Sequence, residues 1–203
     1  MPLLRRGFTQ LAALALLGGA KAWAAERAPV QSLQLQRNDW VPNNPRLPVL
    51  IYPQAIALQG SDPAALFERT FASHGWPPQW RYGVFNYHHY HTEGHEVLGV
   101  ASGQAQLMLG GPNGHVVKVC AGDVLLLPAG TGHCNLGSSD DFLVVGAYPP
   151  GQHADICREA PTAAQQARID TLPFPDLDPV QGSCTPGPCP SEVSSPNGLK
   201  RNS

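Results

Sequence analysis

The sequence predicts an all-β protein closed as a sandwich or barrel, and three observations lead there. Gly and Pro supply 21 residues each to a chain of 203, roughly one residue in five against a usual figure of about one in eight, so long helices cannot dominate. From Trp80 to Pro149 apolar side chains recur with period two, as they do where neighbouring residues face opposite sides of a strand. Turn residues interrupt that pattern every several positions, and seven or eight short strands so spaced argue a closed β-structure. The hydrophobic fraction of 42% suffices for a packed interior, and a chain of this size buries on the order of 70% of its unfolded surface. One principal domain is expected.

Residues 1–24 read as an export signal. Arg5-Arg6-Gly7-Phe8 precedes an apolar run from Leu11 to Leu17, then Gly18-Gly19 and the small-residue site Ala22-Trp23-Ala24. The run is too short to span a bilayer, which needs roughly 20 residues, so no stable membrane anchor is expected. Paired arginines with a phenylalanine two positions on resemble the twin-arginine export signal; an ordinary secretory signal is the other reading. Either way the mature chain begins near Ala25 and works in the periplasm or beyond.

Residues 25–79 form an N-terminal extension. Leu33 and Leu35 alternate with glutamines, suggesting a short edge strand, and Pro42-Asn43-Asn44-Pro45 is a turn. Asp62 caps a helix with Pro63 at its first position; Leu66, Phe67, Thr70 and Phe71 share one face, and the helix stops at Gly75 before Pro77. Residues 80–149 form the barrel core, with candidate strands at 81–91, 96–102, 104–109, 115–120, 123–128, 133–136 and 142–148. Residues 150–203 form a C-terminal extension: a second, shorter helix spans about Thr162 to Ile169, and from Leu172 onward Pro, Ser and Gly give an irregular tail, draped over the barrel or disordered.

Five cysteines follow the signal: Cys120, Cys134, Cys157, Cys184 and Cys189. In an oxidising compartment Cys184 pairs with Cys189 across Thr185-Pro186-Gly187-Pro188, or one of them pairs with Cys157. Cys120 and Cys134 stand in apolar, strand-like surroundings and read as buried free thiols. With 13 basic and 15 acidic side chains the formal charge is -2, which excludes the cationic footprint of a nucleic-acid binder.

Chemistry concentrates in Gly83-Val84-Phe85-Asn86-Tyr87-His88-His89-Tyr90-His91. On a strand His89 and His91 project together with Phe85 and Tyr87, while His88 points the other way. The turn Thr92-Glu93-Gly94-His95 then brings Glu96 back beside both rings; Glu93 is an alternative oxygen donor. Pro128-Ala129-Gly130-Thr131-Gly132 is a tight turn ending at His133, and an antiparallel neighbour can lay His133 against the first pair. Three nitrogen donors and one oxygen donor would hold a divalent metal and, in an octahedral site, leave two positions open. Phe85 and Tyr87 either line a substrate pocket or fill the barrel. His95 reads as a supporting residue, and Trp76 and Trp80 as a lid or a packed cover.

These residues resemble the two cupin motifs. Gly83, His89, His91, Glu96 and Gly103 stand at the gaps of the first, and Gly122, Pro128, Gly130 and His133 at those of the second. The resemblance covers about residues 80 to 149. It departs at Asn135, which follows His133 by two positions where the motif has an asparagine four positions on. The runs HHYH, HEVLGV and NLGSSDDFLVVGAYP are similar to a group of single-domain bacterial cupins without an assigned activity. The resemblance implies a double-stranded β-helix, the small jelly-roll barrel, with His89, His91, Glu96 and His133 as metal ligands and Glu96 able to detach as a base. It also implies pairing of barrels into a homodimer.

Between Gly83 and Pro149 Lys118 is the one lysine or arginine, which disfavours the cupin epimerases of nucleotide sugars, since a pyrophosphate needs cations. The expected function is a metal-dependent enzyme, of oxidoreductase or dioxygenase type, acting on a small neutral or weakly anionic molecule. A metal-containing or sugar-binding protein without turnover is the alternative. Three imidazoles and a carboxylate bind copper or zinc more tightly than manganese or iron. Export of folded protein would let the metal be trapped first, so manganese or iron is expected ahead of zinc, nickel or copper.

Overall fold

The computed structural model describes residues 28–183; the export segment and the Cys184–Cys189 pairing fall outside them. Nine strands form two antiparallel sheets of an all-β jelly-roll barrel. In chain order the elements are β1 (Gln31–Leu33), β2 (Val49–Tyr52), α1 (Ala64–Ser73), β3 (Pro78–Tyr82), β4 (Glu96–Ser102), β5 (Gln104–Leu109), β6 (His115–Cys120), β7 (Val124–Leu127), β8 (His133–Ser138), β9 (Leu143–Ala147) and α2 (Ala163–Thr171). The larger sheet runs β1-β2-β7-β4-β9-β3 and the smaller β6-β5-β8. Among the described residues no helix is long and apolar enough to cross a membrane.

The larger sheet is covered on both faces, which explains its near-continuous apolar strands. In β4, Leu98 and Val100 turn inward, where they meet Leu107 and Leu109 of the smaller sheet; Val97 and Ala101 turn outward beneath α1. In β7, Leu125 and Leu127 point in, while Val124 and Leu126 point out. Helix α1 covers the outer face through Ala64, Phe67 and Phe71, all buried, with Leu66 and Thr70 at the margin of the stripe. Asp62 Oδ1 accepts from the Ala65 N–H at 3.3 Å at the helix start. Gly99 lies directly under Phe67: a Cβ there would stand 2.2 Å from the ring, so only glycine lets helix and sheet approach this closely.

The N-terminal extension is woven into the barrel. β1 is the expected edge strand, and β2 joins it to β7 in register Leu50↔Leu126. Val49-Leu50-Ile51-Tyr52 lacks alternation because both faces of β2 are buried. The C-terminal extension wraps the other way. Thr162 caps α2 through a reciprocal pair with Gln165, Ile169 packs with Val41 and Tyr90, and residues 172–183 run irregularly past the C-terminal end of α1, against His74 and Trp76. There Trp76 Nε1–H donates to Leu177 O at 2.9 Å, and the Tyr52 hydroxyl donates to the buried Asp178.

Two expectations require correction. The strand expected over 81–91 ends at Tyr82. β3 pairs with β9, which begins at Leu143, and the chain then crosses to the smaller sheet. Phe85 O accepts from Asn135 N–H at 2.8 Å, and His89 bridges His133, so residues 83–88 span the gap between sheets. Cys120 is exposed rather than buried: Val119 takes the inward position at the end of β6, and its neighbour must point out. Cys134 is buried, and Cys157 has no disulfide partner among the described residues.

Candidate metal centre

The site grows from a short antiparallel contact. His89 N–H donates to His133 O at 3.2 Å and His133 N–H to His89 O at 2.9 Å, so residues 89–91 lie against the start of β8. Side chains two apart share a face here: His89 and His91 turn into the barrel, and Tyr90 turns away into the cluster with Val41 and Ile169. His89, His91 and His133 are buried, with one ring nitrogen of each within 4.8 Å of the others.

Hydrogen bonds fix which nitrogens face the centre. Nδ1 lies 3.1 Å from Tyr87 O in His89, 2.5 Å from Asp155 O in His91 and 3.0 Å from Thr131 O in His133. A carbonyl only accepts, so each Nδ1 carries the hydrogen and, in the neutral ring, Nε2 keeps a lone pair. That is the arrangement by which backbone carbonyls orient metal-binding imidazoles.

Glu96, the first residue of β4, stands against two of the three rings, outside the group of three imidazoles whose nitrogens lie within 4.8 Å of one another. Its Oε1 accepts from the Tyr148 hydroxyl. Its Oε2 stands 3.5 Å from His91 Nε2 and 3.3 Å from His133 Nε2, is fully buried, and has no hydrogen-bond donor among the described residues. With both rings in the Nδ1–H form, acceptor faces acceptor across these distances, and only a cation between them relieves the conflict. A proton on one ring does so, and a divalent ion does so more completely. Three buried imidazoles backed by carbonyls therefore fit a metal ion, and the stranded carboxylate oxygen fits the same requirement.

Electrostatics agree. Burial, helped by His133, pushes His89 down to about 3, and burial lowers His133 as well. In His91 burial works downward, but the Glu96 carboxylate outweighs it and holds the ring above its usual value. Burial works to raise Glu96, yet His91 and His133 pull it down to about 2. At neutral pH the centre holds a carboxylate and at least two neutral imidazoles.

A cavity of about 260 Å³ opens from this cluster, lined by His89, His91, His133, Glu96 and Tyr148 at its closed end and by Trp80, Val84, Phe85, Leu98, Ala154 and Ile156 along its walls. Phe85 thus lines the pocket. Tyr87 does not: it stacks on Phe85 at 4.9 Å between centroids, stands edge-on to His89, and carries the Arg158 guanidinium 4.3 Å above its ring. Trp80 is a wall of the cavity, whereas Trp76 is packed cover.

Other histidines and acids lie apart. Glu93, the alternative oxygen donor, is engaged by His153 at 2.6 Å and Arg168 at 3.7 Å. His88 is half-buried, outside the three-imidazole group, with Nδ1 unpartnered among the described residues. His95 is fully buried; its Nδ1 accepts from Ala129 N–H at 2.9 Å and so props the turn that leads to His133. Asn135 turns to its own strand end, accepting from Gly137 N–H and donating to Ser138 Oγ.

Sequence reasoning missed Tyr148 and Asp155. Tyr148 follows from register: Val97 faces Ala147 in the β4–β9 pair, which puts the next residue beside Glu96. Asp155 accepts from Thr92 N–H at 2.6 Å, Thr92 Oγ1 at 2.7 Å and Glu93 N–H at 3.0 Å, while its own carbonyl holds His91. Nothing local in the sequence marks that long-range latch.

No protein-family profile matches the chain. It is similar to the uncharacterised protein YjlB of Bacillus subtilis, with 38% identity over 148 residues, which cover 72% of this chain and 87% of YjlB.

Proposed function

Since the chain belongs to the family of the Bacillus subtilis protein YjlB, whose description names no activity, we propose from the site itself that it is a cupin metalloprotein and a metal-dependent enzyme. The reaction is of oxidoreductase or dioxygenase type, on a small neutral or weakly anionic molecule. One observation carries the reading: Glu96 Oε2 is buried without a donor among the described residues and faces the Nε2 atoms of His91 and His133. His89, His91, His133 and Glu96 would hold the ion, and manganese or iron there would supply Lewis acidity or redox capacity.

The chain's own residues supply the rest. Carbonyls of Tyr87, Thr131 and Asp155 keep the three rings aimed inward. Tyr148 holds Glu96 by Oε1, so the carboxylate can swing its other oxygen toward a substrate proton without leaving its place. The walls that lead to the closed end are largely apolar or aromatic. The arginine pair Arg5-Arg6 supports twin-arginine export to the periplasm, a route that carries folded protein.

Elemental analysis of protein isolated from its own host tests the reading. About one equivalent of manganese or iron is expected, with substrate-dependent oxygen uptake separating enzyme from storage protein. Less than about a tenth of an equivalent of any transition metal would remove the metal function.

A further inference from the structure

The cavity above the cluster is asymmetric in chemistry, and that asymmetry restricts what can enter. Among the described residues its polar side chains gather at the closed end, where His89, His91, His133, Glu96 and Tyr148 converge, apart from the Tyr82 hydroxyl at the exposed lip. Everything between them and solvent is apolar or aromatic: Trp80, Val84, Phe85, Leu98, Ala154 and Ile156. Among the described residues no lysine or arginine lines it. At the lip Phe85 is 36% exposed and Ile156 51%, and Tyr82, 67% exposed, adds an aromatic ring whose hydroxyl stands at the solvent edge.

The wall is built. The Trp80 indole lies flat against β9 at Gly146, where a Cβ would stand 2.0 Å from its ring. Its Nε1–H is occupied by the Tyr148 hydroxyl at 3.1 Å. Trp80 therefore offers the cavity a ring surface and no free donor. A sugar or other polyol would set its hydroxyls against walls that cannot pair them, at a cost for each buried group. An ammonium along the wall would find no counter-charge before Glu96. The volume of about 260 Å³ lies just under the roughly 300–1,000 Å³ of ordinary small-molecule pockets, which limits a ligand to one ring or a short branched chain.

The geometry points to a ligand with a compact apolar body and a single oxygen-donor head group, such as a carboxylate or an enolised carbonyl, entering head first. The head group's place rests on the metal reading above; the apolar body rests on the walls alone.

Calorimetric titration of the protein as purified, its metal content measured on the same sample, decides this with benzoate, acetate and D-glucose as probes. Benzoate is expected to bind roughly 10- to 100-fold more tightly than acetate, because the walls cover its ring, and glucose is expected not to displace it. Ala154→Trp and Ile156→Trp sit at exposed positions on the wall. Each is expected to abolish the preference for benzoate while melting temperature and metal content stay unchanged. Equal affinity for benzoate and acetate, binding of glucose at the same strength, no binding of any probe, or a preference untouched by both variants overturns the proposal. A metal-free protein that still prefers benzoate to glucose removes the metal reading and leaves the apolar-body assignment standing.

Discussion

The Tyr148 hydroxyl donates to Glu96 Oε1 while accepting from Trp80 Nε1–H, so the carboxylate facing His91 and His133 is held by a chain that begins in the cavity wall. Tyr148→Phe removes this support and leaves every nitrogen donor in place. Loss of a partner that orients a ligand typically weakens metal binding about 10- to 100-fold. Equilibrium dialysis against a metal buffer is expected to show a drop of that size, with the stoichiometry kept. An unchanged affinity would mean that Glu96 needs no help from Tyr148.

The imidazoles themselves divide by face. His89→Ala and His133→Ala each remove one of three converging nitrogens and should abolish tight binding. The stabilisation that the ion confers goes with it, about 2.7 kcal/mol at a free metal concentration 100 times Kd. His88→Ala should change neither, because that ring stands outside the group. Melting curves with and without added metal read all three variants directly: a metal-dependent rise persisting in His133→Ala would disprove the assignment.

Much of this was legible in the sequence for a local reason. Strands β4 to β9 are short and separated by Gly-rich turns, and the fixed gaps around His89, Glu96 and His133 reflect the hairpins that join them. What escaped was set by tertiary contact. The 83–88 crossing keeps a strand-like sequence although its partner strand has ended. Strand β2 hides because both of its faces are covered. Asp155 reaches Thr92 across 63 positions, and no pattern at either end announces the meeting.

Asp155 gives a pH dependence of definite sign. Burial opposes its charge, but donors from Thr92 and Glu93 hold its carboxyl below the ordinary value of 3.8. A lowered folded-state pKa stabilises the native protein above that ordinary value, and the contribution is lost as pH falls through the lowered one. Asp155→Asn lacks it at every pH. In protein freed of metal by chelation, the gap in melting temperature between wild type and variant should be constant from about pH 5 to 7 and shrink below about pH 4. A gap that widens on acidification would contradict the role given to this latch.

Export can be tested separately from the site. Arg5→Lys together with Arg6→Lys leaves the charge and the apolar run intact and removes only the paired guanidinium groups. Mature protein is expected to disappear from the periplasm of its host and to remain unprocessed in the cytoplasm. Undiminished periplasmic protein would assign the segment to the ordinary secretory route and remove the argument for manganese or iron over zinc or copper.

Gly146→Ala probes the wall without touching a ligand. The new methyl would stand 2.0 Å from the Trp80 ring, so the indole must lift into the cavity or the β3–β9 pair must part. Overpacking of this kind costs about 1–3 kcal/mol. Trp80 also donates to Tyr148, so its displacement should loosen the hold on Glu96 and reduce the volume open to a ligand together. The expected result is a lower melting temperature, a shifted indole emission and weaker metal binding, and the loss of melting temperature caused by Gly146→Ala should be smaller in a Trp80→Leu background, where the clash is absent. If Gly146→Ala cost as much melting temperature in the Trp80→Leu background as in the wild type, the indole would not be the group that requires glycine at position 146.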